Sequence, residues 1–178
     1  GCAGERSAIM SLIGRLLGSR EQMQRELPCE VFLREQQVPF SVHHHAPAFS
    51  AQRLAKVEHV PGRMVMKVVI VMAADRLVML CLPAICRVNM LRVMDAVGTD
   101  DVRLAREDEF AAAFPDCEIG AMPPIGNLYR MPVIADRLLL ADDRIIFPAG
   151  THTETFEMAY TDFARIVRPM VADLCSSC

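Results

Sequence analysis

Positions 64–72 read Met-Val-Met-Lys-Val-Val-Ile-Val-Met, apolar on both alternating faces apart from one lysine. Such a run suits a strand covered on both sides. Residues 76–82 have the same character and form its hairpin partner across a turn at Ala74 and Asp75. Upstream, residues 28–37 predict a helix opened by Pro28, whose missing N–H is no loss in a first turn. Residues 41–45 follow Pro39 and read as extended. Ser50 is a good N-cap for a helix over 51–59, with Ala51, Leu54 and Ala55 on one face.

Downstream, the pattern predicts a helix over 87–97 ended by Gly98, and a short one over 106–114 before Pro115. Four short apolar segments follow, at 130–135, 137–141, 144–149 and 153–159. They are separated by Asp136, by Asp142 with Asp143, and by Gly150, and all four read as strands. A closing helix starts near Thr161, with Phe163, Ile166, Val167, Met170 and Leu174 as its apolar stripe and Pro169 kinking its middle. Strands and helices do not alternate strictly, which argues against a doubly wound parallel sheet. The expectation is a single mixed α/β domain, α+β-like, with a mixed, mostly antiparallel sheet curled toward a barrel and flanked by helices. Residues 1–20 read as an N-terminal arm or short helix, and 21–178 as the domain.

Composition narrows the function classes. The 178 residues are 52% hydrophobic and 23% charged, a globular balance. A net charge of −3 argues against a protein that coats long nucleic acid such as DNA, though not against a pocket that grips one RNA end. No uninterrupted run of eighteen apolar residues occurs, so no membrane span is expected. Seven scattered cysteines favour reduced thiols and a cytoplasmic setting. Cys175 and Cys178 are the one pair at metal or redox spacing. They follow a predicted helix C-terminus, and Cys81 and Cys86 lie at no matching zinc spacing, so the pair reads as a tail.

Three features could carry chemistry. Lys67 sits in the apolar strand on the face of Val65, Val69 and Val71, where its ammonium must meet an anion, a cavity or solvent. Snorkelling to the sheet edge is the plainer reading. Residues 120–126, Gly-Ala-Met-Pro-Pro-Ile-Gly, form a stiff loop that can present backbone N–H groups to a developing oxyanion, or simply connect helix to strand. His43, His44 and His45 cannot all face one ion from a strand. His43 and His45 share a face, and His152 or a carboxylate would have to complete a zinc set. No Gly-x-Ser-x-Gly or His-Glu-x-x-His context is present.

In order, these pieces resemble the YbaK and prolyl-tRNA synthetase-associated editing-domain family, the free-standing aminoacyl-tRNA deacylases. The resemblance runs through the entry segment His45-Ala-Pro47-Ala-Phe49-Ser50, the lysine strand, the hairpin, the Gly-x-x-x-Pro loop from Gly120 to Pro124, and the closing strands and helix, over residues 28–174. It implies hydrolysis of the ester joining a wrong amino acid to the ribose at a tRNA 3′ end, with no cofactor and no metal. By the same resemblance, Lys67 anchors the terminal nucleotide or aminoacyl group, and the Gly120 loop stabilises the oxyanion. Ala121, Met122, Pro123, Pro124, His45, Asp136 and His152 line the substrate. The partners implied are the acceptor end of a mischarged tRNA and an aminoacyl-tRNA synthetase. Met66 and Val68 stand where the family often has threonine or asparagine beside the lysine, and Met122 where small or polar residues are common.

Two rival readings stay open: a non-catalytic module that binds an aminoacyl or nucleotide group as a synthetase partner, and a metalloenzyme built on His43, His45 and His152.

Overall fold

A computed structural model describes residues 26–178. The expected arm at 1–20 lies outside the described residues. The chain opens on α1 (Pro28–Glu35), with Pro28 in its first turn and Cys29 and Leu33 on its buried face. Then follow β1 (Phe40–His44) and α2 (Ala51–Val57). The Ser50 side chain caps α2 by accepting from the Arg53 N–H at 3.1 Å, as its position predicts.

The apolar hairpin is β2 (Met66–Ala73) and β3 (Arg76–Pro83), paired from Met66 with Pro83 to Ala73 with Arg76. Ala74 adopts a positive φ of 51° in the tight turn between them. β4 (Arg87–Val88) leads to α3 (Met90–Val97), which ends at Gly98 in the left-handed region. β5 (Val102–Leu104) and the short α4 (Glu107–Phe110) follow. The remaining elements are β6 (Val133–Asp136), β7 (Arg144–Pro148), β8 (Glu154–Ala159), α5 (Tyr160–Val167), β9 (Met170–Ala172) and β10 (Cys175–Ser177).

The strands make three sheets: β5-β2-β3-β6-β9, β1-β8-β7, and β10-β4. β6 lies parallel to both β3 and β9, and the other pairings are antiparallel. The fold is therefore the expected mixed α/β domain. Its curl stops at a single bridge between Val65 and Ile146, short of a closed barrel.

Alternation along β2 explains the layers. Met66 and Ile70 enter the larger core with Phe114, Phe147, Phe156 and Phe163, while Val71 and Ala73 enter a second core on the opposite face, with Leu82, Val93 and Leu174. Each fully buried phenylalanine contributes about 1.5–3 kcal/mol by leaving water.

The helix expected over 87–97 begins only at Met90, after β4, and four further expectations need correction. Residues 137–141 form a 3₁₀ turn rather than a strand, because the Asp136 carboxylate accepts the Leu138 N–H at 2.8 Å and starts a helical turn. Only Leu139 of that turn is buried. The closing helix stops at Val167, where Arg168 takes a φ of 52° before Pro169, so Met170 and Leu174 are not part of its stripe. Residues 175–178 are no loose tail, since β10 pairs with β4 and Cys178 is disulfide-bonded to Cys86. The expectation of reduced thiols therefore fails for that pair. Cys29, Cys81, Cys117 and Cys175 are free.

Candidate functional site

Lys67 lies at the start of β2 opposite Leu82, half-buried. Its Nζ donates to the carbonyl of Cys86 at 2.5 Å. Burial pushes the ammonium's pKa down, the nearby Cys175 opposes the shift, and Arg87 reinforces it. The lysine thus neither snorkels fully into water nor faces a carboxylate. It is held against a backbone carbonyl beside the C-terminal strand.

The Gly120 loop is elsewhere. Gly120 has a φ of 87°, which a side chain would resist, and an added Cβ would lie 3.5 Å from the His152 ring. The Gly120 N–H meets only the thioether of Met122, at 3.2 Å, a weak acceptor that a charged oxygen can displace. The Ala121 N–H is already bonded to the Glu118 carbonyl, and the Ala121 carbonyl accepts from Gly150. Pro123 and Pro124 contribute no donors, and residues 121–126 are all buried.

His152 completes this corner. Its ring nitrogens lie 3.2 Å from the Ala48 carbonyl and 2.9 Å from the Ile119 carbonyl, and a neutral imidazole donates through only one of them at a time. The His152 main-chain N–H donates to the Glu118 carboxylate at 2.7 Å. The Phe49 ring packs against the His152 ring, tilted by 46° with centroids 4.7 Å apart, and Phe49 is 73% exposed. The entry segment is sewn to the same strand end, His45 N–H to Thr153 and Ala48 N–H to His152.

Strand alternation splits the three histidines as expected. His44 reaches outward to Glu154, whereas His43 and His45 turn to Glu58, at 3.3 and 3.9 Å. Glu58 also accepts from Thr155 Oγ1 at 2.6 Å, and His43 lies 3.2 Å from Glu157. The His45 side chain is only 5% exposed, with Nδ1 on the Ala46 carbonyl and Nε2 without a hydrogen-bond partner. Nothing in the sequence marks Glu58, Thr155 and Glu157 as partners of these histidines, because they come from another helix and strand.

The structure does not bring His43, His45 and His152 together, since the His152 ring turns to the Ala48 and Ile119 carbonyls. Among the described residues, the one group of three ligand atoms lying close together is Cys86, Cys175 and Cys178. Asp136 is likewise drawn away from the Gly120 corner. It is 1% exposed, and its oxygens accept from the Leu138 and Leu174 N–H groups. The sequence-derived site thus falls into two neighbourhoods: Gly120 to Pro124 with His152 and the His45 segment, and Lys67 with Asp136 beside the C-terminal cysteines.

The family model of the aminoacyl-tRNA editing domain matches residues 45–166, more than half of the chain. This chain belongs to that family. The editing domain is 30% identical over 128 residues to a proline–tRNA ligase of Thiobacillus denitrificans, a match covering 70% of this chain but only 22% of the ligase. In fold it resembles the hypothetical protein APE2540 (TM-score 0.74, 20% identity, 82% of this chain and 97% of that one). It also resembles a crystal structure described as a trans-editing enzyme for prolyl tRNA synthetase (TM-score 0.69, 20% identity, 78% and 87%). The matched segment encloses every candidate residue from His45 to His152. It leaves α1, Cys175 and Cys178 outside.

Proposed function

We propose that this editing domain hydrolyses the ester of a mischarged aminoacyl-tRNA, acting as an aminoacyl-tRNA deacylase. The observation that carries the reading is the Gly120 N–H. It lies inside the family-matched segment, beside His152, and is opposed only by a thioether. When water attacks the ester carbonyl, negative charge grows on oxygen, and a fixed N–H aimed at it stabilises the transition state. Losing one such donor typically costs about 3 kcal/mol. Lys67, in the other neighbourhood, supplies a second charge: turning from the Cys86 carbonyl, its ammonium anchors the phosphate of the terminal nucleotide at a distance from the reacting ester. Ala121, Met122, Pro123 and Pro124 wall the side-chain pocket, and His152 and His45 fix its entry. The proton of the attacking water is relayed by the neighbouring ribose hydroxyl or a second held water to the ribose oxygen that leaves as the ester C–O bond breaks, giving free amino acid and a tRNA hydroxyl, so no protein nucleophile is needed. The acceptor end is the part of the tRNA engaged, and a synthetase is the natural holder of the rest.

The test is deacylation of a panel of mischarged tRNAs by the wild type and by Lys67→Ala. Faster hydrolysis by the wild type supports the proposal, and equal rates or no activity on any member overturn it. The hydrogen bond holding Lys67 to Cys86 favours a second reading, a module that binds the acceptor end without turnover. Binding of an acceptor-stem analogue with no hydrolysis decides for that reading.

A further inference from the structure

Cys86, Cys175 and Cys178 are brought together by folding alone. Cys86 sits in the turn after β3, where its N–H donates to the Pro83 carbonyl. Cys175 and Cys178 bracket β10, which pairs antiparallel with β4 through Cys175 with Val88 and Ser177 with Arg87. The segment is held at several further points. Asn89 N–H donates to the Leu174 carbonyl at 2.7 Å, Leu174 N–H to Asp136 at 2.7 Å, and Arg92 Nη1 to the Cys175 carbonyl at 2.6 Å. Within this frame the three sulfurs lie within 4.8 Å of one another. Two of them, on Cys86 and Cys178, are joined as a disulfide, and the buried Cys175 thiol is free beside them. A disulfide needs only two cysteines, so the third sulfur at this distance is unexplained by it.

We propose that Cys86, Cys175 and Cys178, once the disulfide is reduced, form a three-thiolate site for a zinc ion that fastens the C-terminal strand to β4. Thiolates are the ligands zinc prefers, at about 2.3 Å, and tetrahedral geometry at that length puts neighbouring sulfurs about 3.8 Å apart. Cys175 already lies within 4.8 Å of the other two sulfurs, and reduction frees the Cys86 and Cys178 sulfurs to part to that spacing. Three protein sulfurs leave a fourth position for water. Cys-x-x-Cys supplies two ligands from one short segment, and the third comes from a turn fixed by the main sheet. The chemistry balances. A phosphine reductant gives two electrons to the disulfide and takes an oxygen from water, leaving two thiols. Zinc then displaces three protons from three thiols. Metal and disulfide are alternatives at one place, so a small-molecule disulfide that takes two electrons from the Cys86 and Cys178 thiolates, and is itself cleaved to two thiols, re-forms their bond and expels the ion. The site lies largely outside the segment matched to the family and does not depend on the editing reaction.

The test uses the full chain, reduced with a phosphine under argon and titrated with Co2+ and then Zn2+. The expected result is a thiolate-to-cobalt charge-transfer band saturating at one ion per chain, bleached by one equivalent of Zn2+. The oxidised protein shows no band. Cys175→Ser and Cys178→Ser each weaken binding at least tenfold, while Cys117→Ser binds as the wild type does. Cys178 is exposed, so its variant keeps the test valid if a buried substitution unfolds the chain. Absence of a band from the reduced wild type, unchanged affinity in Cys178→Ser, or equal binding by the oxidised protein overturns the site.

Discussion

The Lys67 ammonium donates to the carbonyl of Cys86, a residue nineteen positions away in sequence and one end of the disulfide that fastens the C-terminus. The charge that the editing reaction is proposed to use therefore rests against the backbone until a substrate anion draws it off. Lys67→Met, which keeps the stem and removes the charge, is expected to lower deacylation roughly tenfold or more, about 1.4 kcal/mol of transition-state stabilisation. Single-turnover rates on mischarged tRNA, with circular dichroism confirming the fold, measure this.

The same lysine gives a pH signature. Its folded pKa lies below the ordinary 10.5, chiefly through burial. Between the lowered value and 10.5 the unfolded chain holds more protons than the folded one, so stability rises with pH across that window. Lys67→Met lacks this rise. Its stability relative to the wild type is expected to be most favourable near neutral pH and to decline toward pH 10.5, as read by urea denaturation at several pH values.

Gly120→Ala places a side chain at a φ of 87°. The left-handed conformation costs an L-residue about 1–2 kcal/mol, and the new methyl meets the His152 ring at ordinary contact distance. A modest fall in Tm is expected, with a larger proportional fall in deacylation because relaxing the strain re-aims the N–H. Rates comparable to the wild type would remove Gly120 from the oxyanion role.

Phe49 offers an exposed aromatic face, its ring tilted against His152 beside that loop. A base stacked on an aromatic ring is worth about 1–3 kcal/mol, so Phe49→Ala is expected to weaken acceptor-end binding by roughly fivefold or more. Its Tm should stay unchanged, because the ring buries little. Fluorescence anisotropy with an acceptor-stem analogue separates the two effects.

Glu58 is a stability element. Its carboxylate accepts from Thr155, whose residue is fully buried, and neighbours His43 and His45. Glu58→Ala leaves the Thr155 hydroxyl unpaired, at a cost of about 1–3 kcal/mol. Thermal unfolding should show the loss, together with increased hydrogen exchange in β1 and β8.

Local chemistry in the sequence determined much of this protein. The Ser50 cap, the Ala74 turn, the Gly98 stop, the two-sided β2 and β3, and the split of His43 and His45 from His44 all follow from short-range rules. Those rules act within a few residues, and the fold obeys them. Residues 137–141 departed from the pattern because one carboxylate, Asp136, captured the next turn, and the closing helix ended early because Arg168 and Pro169 redirected the chain into β9. Tertiary structure alone decided which distant groups meet. It set Glu58 against Thr155, turned Asp136 toward Leu174, placed Lys67 on Cys86, and gathered Cys86 with Cys175 and Cys178. No spacing rule can announce such meetings, since strand pairing and core packing bring together residues from 19 to 97 positions apart and leave no periodic trace in the chain.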